Sequence, residues 1–143
     1  MKLREIMTKD VSAVSPQDPI IEAAKIMQKR NVGCIPVCDN NKQVKGILTD
    51  RDIVIRVVAE ARDPKQLDVN AVMSTGLTLG RPEMDAEEAA KIMAEHQIRR
   101  LPIVENNKLS GIVSIGDLAT NNIFVDEAGQ AIQDISQPSR PLM

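Results

Sequence analysis

The sequence predicts an α/β (α+β) fold of two β-α-β-β-α repeats, packed sheet to sheet with pseudo-twofold symmetry. Three observations carry that expectation: a duplicated segment, a helical apolar period inside each copy, and a pair of short apolar runs after each helix. The segment Glu22-Ala23-Ala24-Lys25-Ile26-Met27 returns unchanged as Glu88-Ala89-Ala90-Lys91-Ile92-Met93, an offset of 66 residues. The same offset carries Met7 onto Met73, Thr8 onto Ser74, Pro16 onto Pro82, Pro36 onto Pro102 and Asn40-Asn41-Lys42 onto Asn106-Asn107-Lys108. One residue is then lost in a loop, and an offset of 65 maps Gly46-Ile47-Leu48-Thr49 onto Gly111-Ile112-Val113-Ser114 and Asp52 onto Asp117.

Taken in order, each repeat opens on a short strand, near Ser12 to Val14 in the first copy and Leu77 to Leu79 in the second. A helix of about twelve residues follows, because Ile20, Ala23, Ala24 and Met27 recur at i, i+3, i+4 and i+7, as do Ala86, Ala89, Ala90 and Met93. Asp18-Pro19 reads as an N-cap followed by a proline at the first helical position. Two strands come next, Cys34 to Val37 with Val44 to Leu48, and Leu101 to Val104 with Leu109 to Val113. The polar turns Asp39-Asn40-Asn41 and Glu105-Asn106-Asn107 close each pair into a hairpin. A second helix runs from Arg51 to Glu60 in the first repeat and from Asp117 to about Asn121 in the second. Arg62 to Gln66 forms a polar linker, Ala131, Ile132 and Ile135 mark a short C-terminal helix, and residues 138–143 are expected to fray. The expected divisions are 1–66, 67–122 and 123–143. A sheet covered by helices on one face leaves its other face for the second copy. Clefts at that seam are where a ligand would be expected.

Composition narrows the function. A chain of 143 residues with 43% hydrophobic residues is large enough for a packed core without disulfides or metals. Its 18 basic and 20 acidic residues leave a net charge of −2, with no basic stripe to follow a phosphate backbone, so nucleic acid is not an expected partner. No apolar run approaches the roughly 20 residues that cross a bilayer, and the first residues lack a signal-peptide core, so no membrane role and a cytoplasmic location are expected. Cys34 and Cys38 would stand about 13 Å apart on one strand, too far for a local disulfide. With His96 as the sole histidine, no zinc ligand set and no Ser-His-Asp grouping can be assembled. No catalytic residue and no resident cofactor are therefore assigned. Phe124 is the only aromatic residue, so a bound base would lie between aliphatic side chains.

The chemistry concentrates in a motif that occurs twice. Gly46-Ile47-Leu48-Thr49-Asp50-Arg51-Asp52 and Gly111-Ile112-Val113-Ser114-Ile115-Gly116-Asp117 both read G-h-h-[ST]-x-x-D, where h is apolar, and both run from strand into helix. The hydroxyl and the aspartate three residues on have the spacing of a capping box. The same joint offers free N–H groups and a hydroxyl to a phosphate, and its carboxylate can accept hydrogen bonds from a ribose diol.

These features together resemble tandem CBS domains, the pairs also called Bateman modules. The resemblance rests on the Ala-Ala-Lys-Ile-Met helices, the strands through Pro36 and Pro102 and the duplicated motif, and extends from Leu3 to about Leu118. Leu48 to Ile55 resembles the small stand-alone bacterial members of the hypoxic-response-protein type. The resemblance implies an adenosine-containing ligand, AMP, ADP or ATP with S-adenosylmethionine as an alternative, and a homodimer formed head to head. It implies that Asp52 and Asp117 each hold a ribose, with Thr49 and Ser114 near phosphate. The family's basic residues ahead of the second strand correspond to Arg99 and Arg100 in the second repeat and to Gly33 and Cys34 in the first, so the two pockets are unequal. The Asp52 pocket, flanked by Asp50 and completed by Arg99 and Arg100 from the other repeat, is expected to take the phosphorylated ligand. The Asp117 pocket has only Arg51 to draw on. The adenine is expected against the backbone of Val32, Gly33, Cys34 and Ile35 or of Ile98 to Leu101, with Ala13 and Leu79 lining the same pockets. The implied function is a regulatory, adenine-nucleotide-sensing module acting on an effector protein. A ligand-free interaction scaffold is the alternative, and a thiol enzyme using Cys34 or Cys38 is the third reading.

Overall fold

The computed structural model describes residues 1–120 and 125–137. Residues 121–124, with Phe124, and the expected frayed end at 138–143 lie outside them. The chain contains α1 (Leu3–Ile6), α2 (Ile20–Arg30), β1 (Cys34–Cys38), β2 (Val44–Thr49) and α3 (Asp50–Ile53), which continues into a π-helical turn at Val54–Val58. A 3-10 turn at Val69–Ala71 precedes α4 (Ala86–His96), β3 (Arg100–Glu105), β4 (Lys108–Ser114), α5 (Ile115–Ala119) and α6 (Val125–Ile135).

Two compact units result. The Asp52 unit comprises Asp10–Leu77 with Asn106–Leu109, and the Asp117 unit comprises Met1–Lys9, Thr78–Glu105 and the chain from Ser110 on. This division departs from the boundaries expected at 1–66 and 67–122, because each unit takes its opening segment from the other sequence repeat. In the Asp117 unit, Thr8 and Ile112 exchange backbone hydrogen bonds of 2.9 and 3.0 Å, and Leu3 N–H donates to the Met84 carbonyl. In the Asp52 unit, Ser74 and Ile47 exchange the equivalent pair at 2.8 and 3.0 Å. The motif glycines make this approach feasible. A Cβ on Gly46 would stand 2.9 Å from the Ser74 carbonyl oxygen, and one on Gly111 would stand 2.7 Å from that of Thr8.

Local chemistry explains the elements. On α2, Ile20, Ala23 and Met27 are buried, and on α4, Ala86, Ala89, Ala90 and Met93, so the predicted stripes do face the cores. Both helices end on a left-handed residue, Asn31 and Gln97. The N-cap of α2 is Pro19 and not Asp18; the Asp18 carboxylate instead accepts the Ser15 N–H at 2.9 Å and closes the preceding turn. Each hairpin is a two-stranded sheet, β1 with β2 and β3 with β4. The β1–β2 register pairs Ile35 with Leu48 and Pro36 with Ile47 and slips between Val37 and Cys38, which breaks the expected alternation between Cys34 and Cys38. The expected opening strands reduce to single parallel bridges, Val14 to Val37 and, one residue beyond the expected Leu77 to Leu79, Gly80 to Ile103.

Each unit has its own core. Ile20, Ile35, Val37, Leu48, Val57, Val69 and Val72 are among those filling the Asp52 unit, and Leu3, Met93, Leu101, Ile103, Val113 and Leu118 among those filling the Asp117 unit. Burying each large side chain contributes roughly 1.5–3 kcal/mol. Helix α6 adds Ala128 and Ala131 to the second core, whereas Ile132 is 46% exposed.

Candidate functional site

The strand–helix joint is built alike in both units. Thr49 ends β2 in extended conformation, its Oγ1 accepts the Asp52 N–H at 3.0 Å, and Asp52 Oδ2 accepts the Thr49 N–H at 3.0 Å. Ser114 and Asp117 repeat the arrangement at 3.1 and 2.8 Å. The capping-box reading of the motif therefore holds in both copies. It commits Oδ2 of each aspartate and leaves Oδ1 for other partners.

At Oδ1 the copies differ. Asp52, 8% exposed, accepts the Ser74 hydroxyl on Oδ1 at 3.0 Å, and the Arg56 guanidinium lies 3.9 Å from the same oxygen. Arg56 also donates to the carbonyls of Val72 and Met73 at 2.7 and 3.1 Å. Asp117 is half-buried, and among the described residues its Oδ1 has no hydrogen-bond partner. Sequence reasoning missed Ser74 and Arg56 as site residues. The four-residue step from Asp52 to Arg56 was a readable signal, since helical residues so spaced are neighbours. The position of Ser74 was visible only as a repeat mark.

The segment ahead of each first hairpin strand is tied to the same joint. Asp50 N–H donates to the Gly33 carbonyl at 2.9 Å, and Ile115 N–H to the Arg99 carbonyl at 2.8 Å. A Cβ on Gly33 would stand 2.8 Å from Asp50 Oδ2, so a side chain there would require the Asp50 carboxylate to move. The Asp52 joint thus carries two carboxylates, Asp50 and Asp52, while at the Asp117 joint Ile115 stands where the first has Asp50, and Asp117 is its one carboxylate. Within its own unit Arg99 is held beside the Ser114 joint. Ile35 and Leu101 are fully buried, so they can meet a base only through their main chain. Val32 and Leu79 are exposed apolar side chains, Ala13 and Arg51 are exposed, and Gly33, Cys34 and Ile98 are half-buried.

Among the described residues no three His, Cys, Asp or Glu side chains converge as a metal site, and no helix is long and apolar enough to cross a membrane. Burial, reinforced by the neighbouring Asp39 charge, pushes the Cys38 thiol up and keeps it protonated.

Two small hairpin sheets, each with its helices and the same capped strand–helix joint, define a duplicated α+β module. The chain belongs to the CBS-domain family, whose model matches residues 3–59 and 69–121. It is 50% identical over 134 residues to the CBS domain-containing protein YhcV of Bacillus subtilis, covering 94% of each chain. The solved structure of Hypoxic Response Protein I with two coordinated zinc ions superposes with a TM-score of 0.79 at 30% identity, over 85% of this chain and 98% of that one. A CBS-domain pair solved with 5′-methylthioadenosine and S-adenosyl-L-methionine shares the fold, with a TM-score of 0.75 at 23% identity over 84% of this chain and 94% of that one.

Proposed function

We propose that the chain is a regulatory, non-catalytic module that binds an adenine nucleotide and acts, as a homodimer, on an effector protein. The observation that carries this reading is the twice-built joint. In each copy the capping box holds the aspartate by Oδ2 and turns Oδ1 away from the box, where a ribose hydroxyl can donate to it. Capping and ligand binding use different oxygens of one carboxylate, so the structural role of the motif does not exclude the second.

The phosphate is assigned by charge. Asp50 and Asp52 make the Asp52 joint acidic, so a phosphorylated ligand there needs cations from elsewhere, and Arg99 and Arg100 of the other repeat are assigned to supply them. Charge-assisted hydrogen bonds contribute about 1.5–3 kcal/mol each. The Asp117 pocket, with Ser114, is assigned an uncharged or weakly charged adenosine compound.

Calorimetry with AMP and ATP on Asp52→Ala and Asp117→Ala tests the assignment, with thermal unfolding reporting that each variant stays folded. Asp52→Ala is expected to weaken ATP binding at least tenfold and Asp117→Ala much less. Equal losses would overturn the inequality of the pockets. Absence of binding to AMP, ADP, ATP and S-adenosylmethionine in the unsubstituted protein would favour the ligand-free scaffold.

A further inference from the structure

The carboxylate assigned to the ribose in the Asp52 unit already accepts a hydrogen bond on each oxygen. Oδ2 belongs to the capping box, so Oδ1 is the oxygen open to a ribose hydroxyl, and Ser74 Oγ donates to it at 3.0 Å. The serine is not placed there by a loose loop. Its backbone is locked to Ile47 by two hydrogen bonds of 2.8 and 3.0 Å, and the segment before it is held by Arg56 through the Val72 and Met73 carbonyls. Arg56 issues from the same helical stretch as Asp52, so one short element carries both the carboxylate and the clasp on its occupant.

The second joint is an internal control. Thr8 occupies the equivalent position, and its backbone makes the same two bonds to Ile112, at 2.9 and 3.0 Å. Its side chain also carries a hydroxyl, yet among the described residues Asp117 Oδ1 accepts nothing. The position matching Arg56 at the offset of 65 is Asn121, which brings no charge. The Ser74–Asp52 bond is therefore not a forced consequence of the backbone bridge.

We propose that Ser74 is a built-in competitor for the ligand's ribose at the Asp52 pocket, a specificity-determining residue held in place by Arg56. The proposal rests on the ribose-binding reading of Asp52. A ribose hydroxyl that approaches Oδ1 from the side held by Ser74 competes with the serine hydroxyl for that lone pair. A ligand lacking them leaves Ser74 where it is, and the nearly buried carboxylate stays satisfied. Ser74 thus lowers affinity for ribonucleotides and narrows their advantage over deoxy analogues at this pocket. Among the described residues the Asp117 pocket has no such competitor.

The test uses the full chain carrying Asp117→Ala, so that the Asp52 pocket alone reports, with calorimetry of AMP and of dideoxyadenosine monophosphate, which lacks both ribose hydroxyls. Adding Ser74→Ala is expected to tighten AMP about three- to tenfold, the worth of one net hydrogen bond, without tightening the dideoxy compound. Unchanged or weaker AMP binding, or an equal gain for both ligands, would overturn the proposal. If AMP binding is then still lost on Asp52→Ala, the proposed function survives that failure. If the Asp117→Ala chain binds no AMP with or without Ser74, both readings fall. Should Ser74→Ala unfold, Ser74→Cys keeps the volume with a weaker donor and must shift AMP in the same direction.

Discussion

Asp39 shows how much one side chain settles at a turn. Its Oδ1 accepts the N–H groups of Asn41 and Gln43 at 2.8 and 3.0 Å, which ties off the first hairpin. The Gln43 bond foremost, with Asn41 and the Lys45 ammonium assisting against some desolvation, holds the carboxyl below the usual carboxylate range. A group whose folded pKa is lowered stabilises the fold fully above its unfolded value of about 3.9, and that contribution is lost as pH falls through the folded value. Asp39→Ala is accordingly expected to be less stable than the unsubstituted chain at pH 7, with the difference shrinking as the pH is taken below the carboxylate range. Urea unfolding at a series of pH values measures it, and a difference independent of pH would show that the carboxylate charge is not the cause. The neighbouring Cys38 responds in the opposite sense, since burial and the Asp39 charge both oppose its thiolate, and a protonated buried thiol makes a poor nucleophile.

At the scale of elements, the glycines of the joint separate close packing from free space. A Cβ on Gly46 would meet the Met73 sulfur at 2.6 Å and the Ser74 carbonyl oxygen at 2.9 Å. The sulfur can swing aside, but the carbonyl is bonded to Ile47 and cannot. Gly46→Ala is expected to cost about 1–3 kcal/mol, the range of core overpacking. Gly129 lies in α6 with nothing within 4 Å of its added Cβ, so Gly129→Ala is expected to stabilise by about 0.5–1 kcal/mol, through helix propensity. Denaturant unfolding of the two variants compares the same chemical change with opposite signs, and a stabilised Gly46→Ala would contradict the close approach. The joint also marks what a sequence can tell. Helices, hairpins and the capping box were legible because each is written within a few residues, as in the Ala23, Ala24 and Met27 stripe or the Thr49 to Asp52 spacing. The crossing of Met73-Ser74 onto Ile47, and of Met7-Thr8 onto Ile112, was not. The repeat aligned those segments with each other, and nothing local specifies which distant strand a segment will meet. Ser74 was missed at the site for that reason and the unit boundaries moved with it, whereas the step from Asp52 to Arg56 was a local signal.

On the scale of the whole molecule, the repeats have diverged most tellingly on the surface. Val54, Ile55 and Val58 are 57%, 46% and 67% exposed on one helical stretch of the Asp52 unit. The offset of 65 places Ala119, Thr120 and Ile123 where the first repeat has Val54, Ile55 and Val58, so the repeat keeps an apolar residue at the last position but not the large apolar pair before it. The core of the Asp52 unit does not need that pair, because Val57 from the same turn already supplies the buried contact. Adjoining exposed apolar side chains are what a recurrent protein contact leaves on a free chain, and in a C2 dimer one stripe meets its own copy. The proposed homodimer is therefore assigned to this face. Val58→Glu, at a position too exposed to disturb folding, is expected to convert a dimer to a monomer in sedimentation velocity at micromolar concentration, with unchanged thermal unfolding of the monomer at high dilution. A dimer that survives both Val58→Glu and Val54→Glu would place the interface elsewhere, and a monomeric unsubstituted chain would overturn the homodimer itself. Because Arg56 lies between Ile55 and Val57 on this stretch and clasps the segment that delivers Ser74, the same variants also ask whether assembly alters the Asp52 pocket. AMP affinity in the Asp117→Ala background should change when the dimer is broken if the contact and the clasp are coupled, and should stay constant if they are independent.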